Sequence, residues 1–230
     1  MHERPRRRSA DIPRGSEEFS RVLTFSDGVF AIAMTLLVVG IGVPELTDAG
    51  DEGELLKAFN DLKLEVLSFF ISFAVIGRYW VAHHQFLALV GAFDYRLVGI
   101  NLVYLAFIAF LPFPTAVLGN YFHNPISVAT YALSVALISG LEVVLFRHAH
   151  RAGLLLRELP EPVYRWGRTA SSVPVLFMLL SVPVAFLNTV AAVLMWFGGV
   201  PTQMLVLDRR KPAGADDFLY ASPPSKSGVR

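Results

Sequence analysis

The chain has 230 residues, 54% of them hydrophobic and only 17% charged, with a mean hydropathy of +0.51. Soluble domains carry about 25% charged residues, so this composition exceeds what a water-soluble core needs and points to a bilayer. The net charge of +1 leaves no electrostatic footprint for a nucleic-acid partner, and the absence of cysteine excludes disulfides, thiolate zinc sites and iron–sulfur clusters.

Residues 1–18 are basic and broken by proline, and the first apolar run begins only at Val22. That run has no small-residue cleavage pattern, so it reads as a span and not as a secretory signal. The segment 1–18 is expected to be a flexible cytoplasmic tail. Its arginines, set beside a span, fit an orientation signal better than a nucleic-acid-binding arm.

A spanning helix needs about 20 apolar residues. The first candidate is Val22 to Val43. The second, Leu62 to Leu89, contains Arg78, His83 and His84. The third runs from Leu97 to Leu118, with Pro112 and Pro114 expected to kink it, and the fourth from Ile126 to Phe146. Ala170 to Leu187 and Asn188 to Leu207 form a closely joined fifth and sixth, with Pro174 and Pro183 as kink sites in the fifth. The expected fold is all-α: a six-span membrane domain over residues 19–207, followed by a polar, proline-rich tail at 208–230.

Arginine and lysine placement sets the orientation. Arginines 4, 6, 7, 8, 14 and 21 precede the first span. Loop 44–60 holds Lys57 against Glu45, Asp48, Asp51, Glu52 and Glu54, and the turn 119–125 holds no basic residue but His123. Arg147, Arg151, Arg157, Arg165 and Arg168 lie between the fourth and fifth spans, and the C-terminal tail is basic again. This alternation puts both termini in the cytoplasm.

The first span opens Arg21-Val-Leu-Thr-Phe25-Ser26-Asp27-Gly28. A carboxylate inside a span is costly and usually has a partner. On a wheel of 100° per residue, Arg21, Phe25, Gly28, Ile32, Leu36 and Val39 form one stripe with Thr35 at its edge. Asp27, Ala31 and Met34 fall opposite. In the second span, which runs the other way, Trp80, His83 and His84 share a face at the depth of Asp27. Asn101 enters about two turns into the third. These residues are expected to form a hydrogen-bonded clasp in which Trp80 and one of the two histidines donate to Asp27. The plainer alternative is that the stripe is ordinary lipid-facing surface and the histidines have no special partner. Arg78 has two readings, snorkelling towards the interface or pairing with Asp27.

The run Arg21–Asp27 resembles the R-x-x-x-F-S-D signature of the transmembrane protein 175 family, the endolysosomal potassium channels and their bacterial relatives. The W-x-x-H-H of Trp80, His83 and His84 and the N…L-P-F-P-T run from Asn101 to Thr115 are similar to that family too. The resemblance implies six helices per repeat, with single-repeat bacterial members assembling as homotetramers. It implies a potassium pore lined by the first helix, without a TVGYG filter. Ile32, Leu36 and Val39 then form the constriction, Thr35 bears on ion preference, and no cofactor is implied beyond the permeant potassium ions. The expected location is a bacterial inner membrane.

Two rivals come from the same residues. His83-His84 and His148-x-His150 suggest a membrane enzyme with a metal, but a di-iron desaturase needs more histidine boxes, and His148 and His150 fall in a basic loop. A secondary transporter usually shows an internal repeat, and the two halves of this chain do not match.

Overall fold

A computed structural model describes residues 11–209, 211–213 and 215. Most of the two predicted tails therefore lies outside the described residues. The helices are α1 (Glu17–Leu36, continued by a 3-10 turn Leu37–Gly40), α2 (Glu52–Asp61), α3 (Lys63–Leu89), α4 (Tyr95–Phe110), α5 (Pro112–Asn120), α6 (Pro125–Arg151), α7 (Glu161–Ala185) and α8 (Thr189–Arg209). Two short strands, β1 (Ile12–Pro13) and β2 (Ala92–Phe93), pair antiparallel.

Among the described residues, five segments are long and apolar enough to cross a membrane: 17–40, 63–89, 95–120, 125–151 and 161–185. The apolar part of α8, Thr189–Leu205, is shorter. The third span is two helices, because Pro112 has no N–H to continue the ladder and instead opens α5 at its first position. Helix α7 begins well before the expected Ala170, since Glu161 and the proline in its first turn start it there. Arg165 and Arg168 thus lie on a helix and not in a loop. His148 and His150 sit in the last turn of α6 rather than in a loop. That helix ends at Arg151 because Gly153 takes a φ of +68° and the Gly153 and Leu154 N–H groups bond back to the carbonyls of His150 and Ala149.

The acidic loop contains α2, which begins where Asp51 accepts from the N–H groups of Gly53 and Glu54. Glu54 in turn accepts from the N–H groups of Thr47 and Asp48. These two backbone donors hold the Glu54 carboxyl below the usual carboxylate range.

The core sits where α1, α3, α4, α5 and α6 meet. Tyr104, Tyr131, Phe30, Ile76, Leu105 and Ile108 are fully buried in it. Helix α5 lies so close to α3 that a Cβ on Gly119 would meet the Glu65 Cα at 2.8 Å. Buried hydroxyls tie the layers: Thr115 Oγ1 donates to Ser72 Oγ (2.8 Å), and Ser72 Oγ to Tyr131 Oη (3.0 Å). Helix α7 packs between α6 and α8. At the Leu89 end of α3 the chain before α1 is fixed: Arg14 Nη1 donates to the carbonyls of Ala88 (3.0 Å) and Val90 (2.8 Å), capping α3. The Arg14 N–H donates to Gly91 O (2.9 Å), extending the β1–β2 pair.

Candidate pore helix and its anchor

Helix α1 starts where Ser16 accepts from the Phe19 N–H, with Glu17 and Glu18 in its first turn. Its inward face is Phe19, Ser26, Phe30, Ala33 and Leu37, all buried. The outward face carries the predicted stripe: Phe25 is 55% exposed, Ile32 60%, Leu36 45% and Val39 74%. Arg21, Gly28 and Thr35 are exposed on the same side. A Cβ on Gly28 would meet nothing within 4 Å, so no part of the same subunit covers that face there. The Thr35 hydroxyl donates back to Ile32 O at 2.9 Å and leaves its lone pairs outward.

The expected clasp divides into two. On the outer edge Trp80 Nε1 donates to Asp27 Oδ1 at 2.9 Å, with the His84 ring 5.7 Å from the indole. Asp27, Trp80 and His84 are all exposed on the isolated subunit. Inside, Asn101 Nδ2 donates to Ser26 Oγ (3.1 Å), and Asn101 Oδ1 faces His83 Nε2 (2.8 Å). An amide oxygen only accepts, so His83 Nε2 carries the proton in this arrangement. Ser26 also donates to Val22 O at 2.8 Å. The three are sealed from solvent at 0%, 1% and 2% exposure. The His83 ring stacks on Tyr104, 5.2 Å between centroids and 9° between planes, and Phe30 packs against both rings.

The residue turned inward is therefore Ser26, and neither histidine bonds Asp27. The reason is local: Phe30 and Ala33 are the large and small apolar groups that fit the core, and they fix a rotation that carries Ser26 inward and Asp27 to the edge. Asp27 does not pair with Arg78 either.

Arg78 Nη2 donates to Gln203 Oε1 at 2.8 Å, its guanidinium stands 5.7 Å from the Tyr79 ring centroid, and its buried Nη1 has no hydrogen-bond partner. Sequence reasoning missed this α3–α8 link, and it also missed Glu142 on α6, which lines the same crevice. Both carry a signal, since a charged or amide group within an apolar run asks for a partner. His148 is likewise held, by Asp94 at 2.9 Å, where Asp94 caps α4. Among the described residues no three His, Cys, Asp or Glu side chains group as a metal site.

The family model for the endosomal/lysosomal potassium channel TMEM175 matches residues 21–112, which span α1 through the start of α5. A Streptomyces collinus protein named as a potassium channel is 35% identical over 176 residues, covering 74% of this chain and 84% of that one. A chicken protein named as the endosomal/lysosomal proton channel TMEM175 is 35% identical over 158 residues, and there the match covers 30% of the relative's length. Among solved structures, a TMEM175 homologue from Chamaesiphon minutus, described as a lysosomal potassium-selective channel homologue, superposes with a TM-score of 0.66 at 29% identity. It covers 86% of this chain and all of that one. These relatives are named for ion conduction and not for catalysis, and the chain shares the fold of the Chamaesiphon minutus homologue. The chain is a helical membrane protein and belongs to the TMEM175 family.

Proposed function

We propose that the chain forms a potassium-permeable cation channel, a homotetramer in a bacterial inner membrane, in which α1 of each subunit lines the central pore. The exposed α1 face carries this reading. A lipid-facing stripe has no use for Arg21, Gly28 and Thr35 beside Phe25, Ile32, Leu36 and Val39, nor for Asp27 at its edge. A water-bearing axis between subunits accommodates both kinds of group. Six spans with α8 as the last, and cytoplasmic termini, complete the proposed topology, with the basic segments on the inner side.

Side chains of Ile32, Leu36 and Val39 from each subunit make the constriction. Aliphatic groups cannot replace an ion's hydration shell as carbonyl rings do, so the narrow part gates by dewetting and passes partly hydrated ions. Potassium, which sheds water more readily than sodium, passes preferentially, and the outward Thr35 oxygens add coordination. No cofactor is needed.

The test is flux through purified protein in liposomes or planar bilayers under opposed potassium and sodium gradients, with a proton gradient imposed separately because the animal relatives are named proton channels. Potassium current above sodium is expected. Ile32→Asn or Leu36→Ala is expected to raise conductance and lower selectivity, and unchanged flux in both removes α1 from the constriction. Absence of current removes the channel. Asp27→Ala is expected to lower the yield of assembled tetramer, read by light scattering, without changing the subunit's helix content.

A further inference from the structure

Two cavities meet at one pair of side chains far from the α1 face. The first, about 530 Å³, lies between α3, α6, α7 and α8 and is walled by Tyr79, Tyr131, Phe177 and Trp196, among others. The second, about 400 Å³, opens between α3, α6, α7 and α8 towards the Leu89 end of α3 and the Phe146 side of α6. Arg78 and Gln203 line both. The apolar cavity runs from them towards Ile71, the second towards Leu89. Arg78 is 11 residues before the end of α3, about 16 Å along the axis, and Glu142 is nine before the end of α6, about 13 Å at 1.5 Å per residue.

The second cavity is mainly apolar but holds one basic and one acidic side chain, Arg78 and Glu142. Arg78 uses one donor on Gln203, and its buried Nη1 has no partner. Glu142 lines the same space, yet makes no ion pair with Arg78. Opposite charges facing one crevice without contact suit a head group that bridges them, with an anion against the guanidinium and a cation against the carboxylate. An aromatic-walled cavity of several hundred cubic ångströms opening from the same point suits an apolar tail. In the proposed topology the Leu89 end of α3 is cytoplasmic, so a lipid entering there would have its head drawn below its usual depth by the two charged side chains, with its tail running on past them towards Ile71.

We propose that Arg78, Gln203 and Glu142 bind the head of a zwitterionic phospholipid carrying a primary ammonium, with one acyl chain in the cavity between α3, α6, α7 and α8. The phosphate lies on Arg78 and Gln203. The ammonium lies on Glu142, and its N–H groups set the preference for a primary over a quaternary amine.

The test is native mass spectrometry of the full-length protein after equilibration with an equimolar mixture of phosphatidylethanolamine, phosphatidylcholine and phosphatidylglycerol and exchange into lipid-free detergent. Wild type is expected to retain phosphatidylethanolamine at least tenfold over the other two. Glu142→Gln is expected to abolish the preference over phosphatidylglycerol, and Arg78→Gln to reduce retention of all three at least fivefold. Ala74→Trp fills the apolar cavity one helical turn from Arg78, and is expected to empty the site with helix content and oligomer mass unchanged. Should Arg78→Gln not fold, Arg78→Lys replaces it: the cation without the planar fork gives lower retention with the same head-group order. Equal retention of the three lipids by wild type, or undiminished retention in Ala74→Trp, overturns the site.

Discussion

Asn101→Ala removes the middle member of the Ser26–Asn101–His83 chain, and its cost follows from what is left behind. Ser26 loses the bond it accepts at 3.1 Å but keeps its own donation to Val22 O, so its share is about 0.6 kcal/mol, the average for an interhelical bond in a membrane protein. His83 fares worse. It is 2% exposed, its ring is clamped by Phe30 and Tyr104, and its Nε2–H has only Asn101 to bond. A buried donor left unpaired costs about 1–3 kcal/mol. The sum is about 1.6–3.6 kcal/mol from two contacts. The measurement is reversible unfolding in mixed micelles by SDS titration, followed by circular dichroism, for Asn101→Ala, Ser26→Ala and the double variant. Ser26→Ala is expected to cost less than Asn101→Ala. The double variant is expected to fall short of the sum of the two, because the pair shares one bond. A cost for Asn101→Ala below about 0.5 kcal/mol, or strict additivity, would falsify the trio as the anchor of α1.

Other expectations are more local. Gly119→Ala forces a Cβ to within 2.8 Å of the Glu65 backbone, which no side-chain rotation relieves, and is expected to destabilise by about 1–3 kcal/mol in the same titration. Arg14→Ala uncaps three carbonyls at the end of α3; faster amide exchange at positions 12 and 14 is expected, while exchange in mid-α3 stays as it was. Acidification acts at the acidic loop: the folded carboxyl of Glu54 titrates below its ordinary value of 4.5, so the loop 47–54 gains from its ionised form above that pH and loses it as pH falls through the lowered value. Amide exchange at Thr47 and Asp48, corrected for intrinsic rate, is expected to accelerate on that descent and to be pH-independent in Glu54→Gln.

Which of these features could be read from the chain depends on how far apart the partners lie. Spans 63–89 and 125–151 are single apolar runs, and a bilayer imposes their length without reference to a neighbour. The spacing of Trp80, His83 and Asn101 likewise brings them to one depth by helix geometry alone. The choice between Ser26 and Asp27 as the inward group is different. They stand 100° apart on the wheel, and only the seating of Phe30 and Ala33 in the core decides between them. The Arg78–Gln203 bond spans 125 residues, so no local pattern could announce it. Helix α2 was within reach, since Asp51 and Glu54 have the spacing of a helix start, but five acids in a short stretch dominate its appearance as a loop. Arg14 looked like one more arginine of a basic tail; its role appears only when the end of α3 presents open carbonyls beside it.

The back of α1 limits how a channel built on this helix could open. Ser26 is keyed to Asn101, Phe30 is wedged between His83 and Tyr104, and Leu37 is buried at the far end. Rolling the helix about its own axis, the simplest way to swing Ile32 or Leu36 aside, would tear out every one of these teeth at once. Widening is therefore left to two inexpensive motions: rotamer changes of the aliphatic side chains themselves, or an outward tilt of whole subunits with α1, α3 and α4 moving as one block.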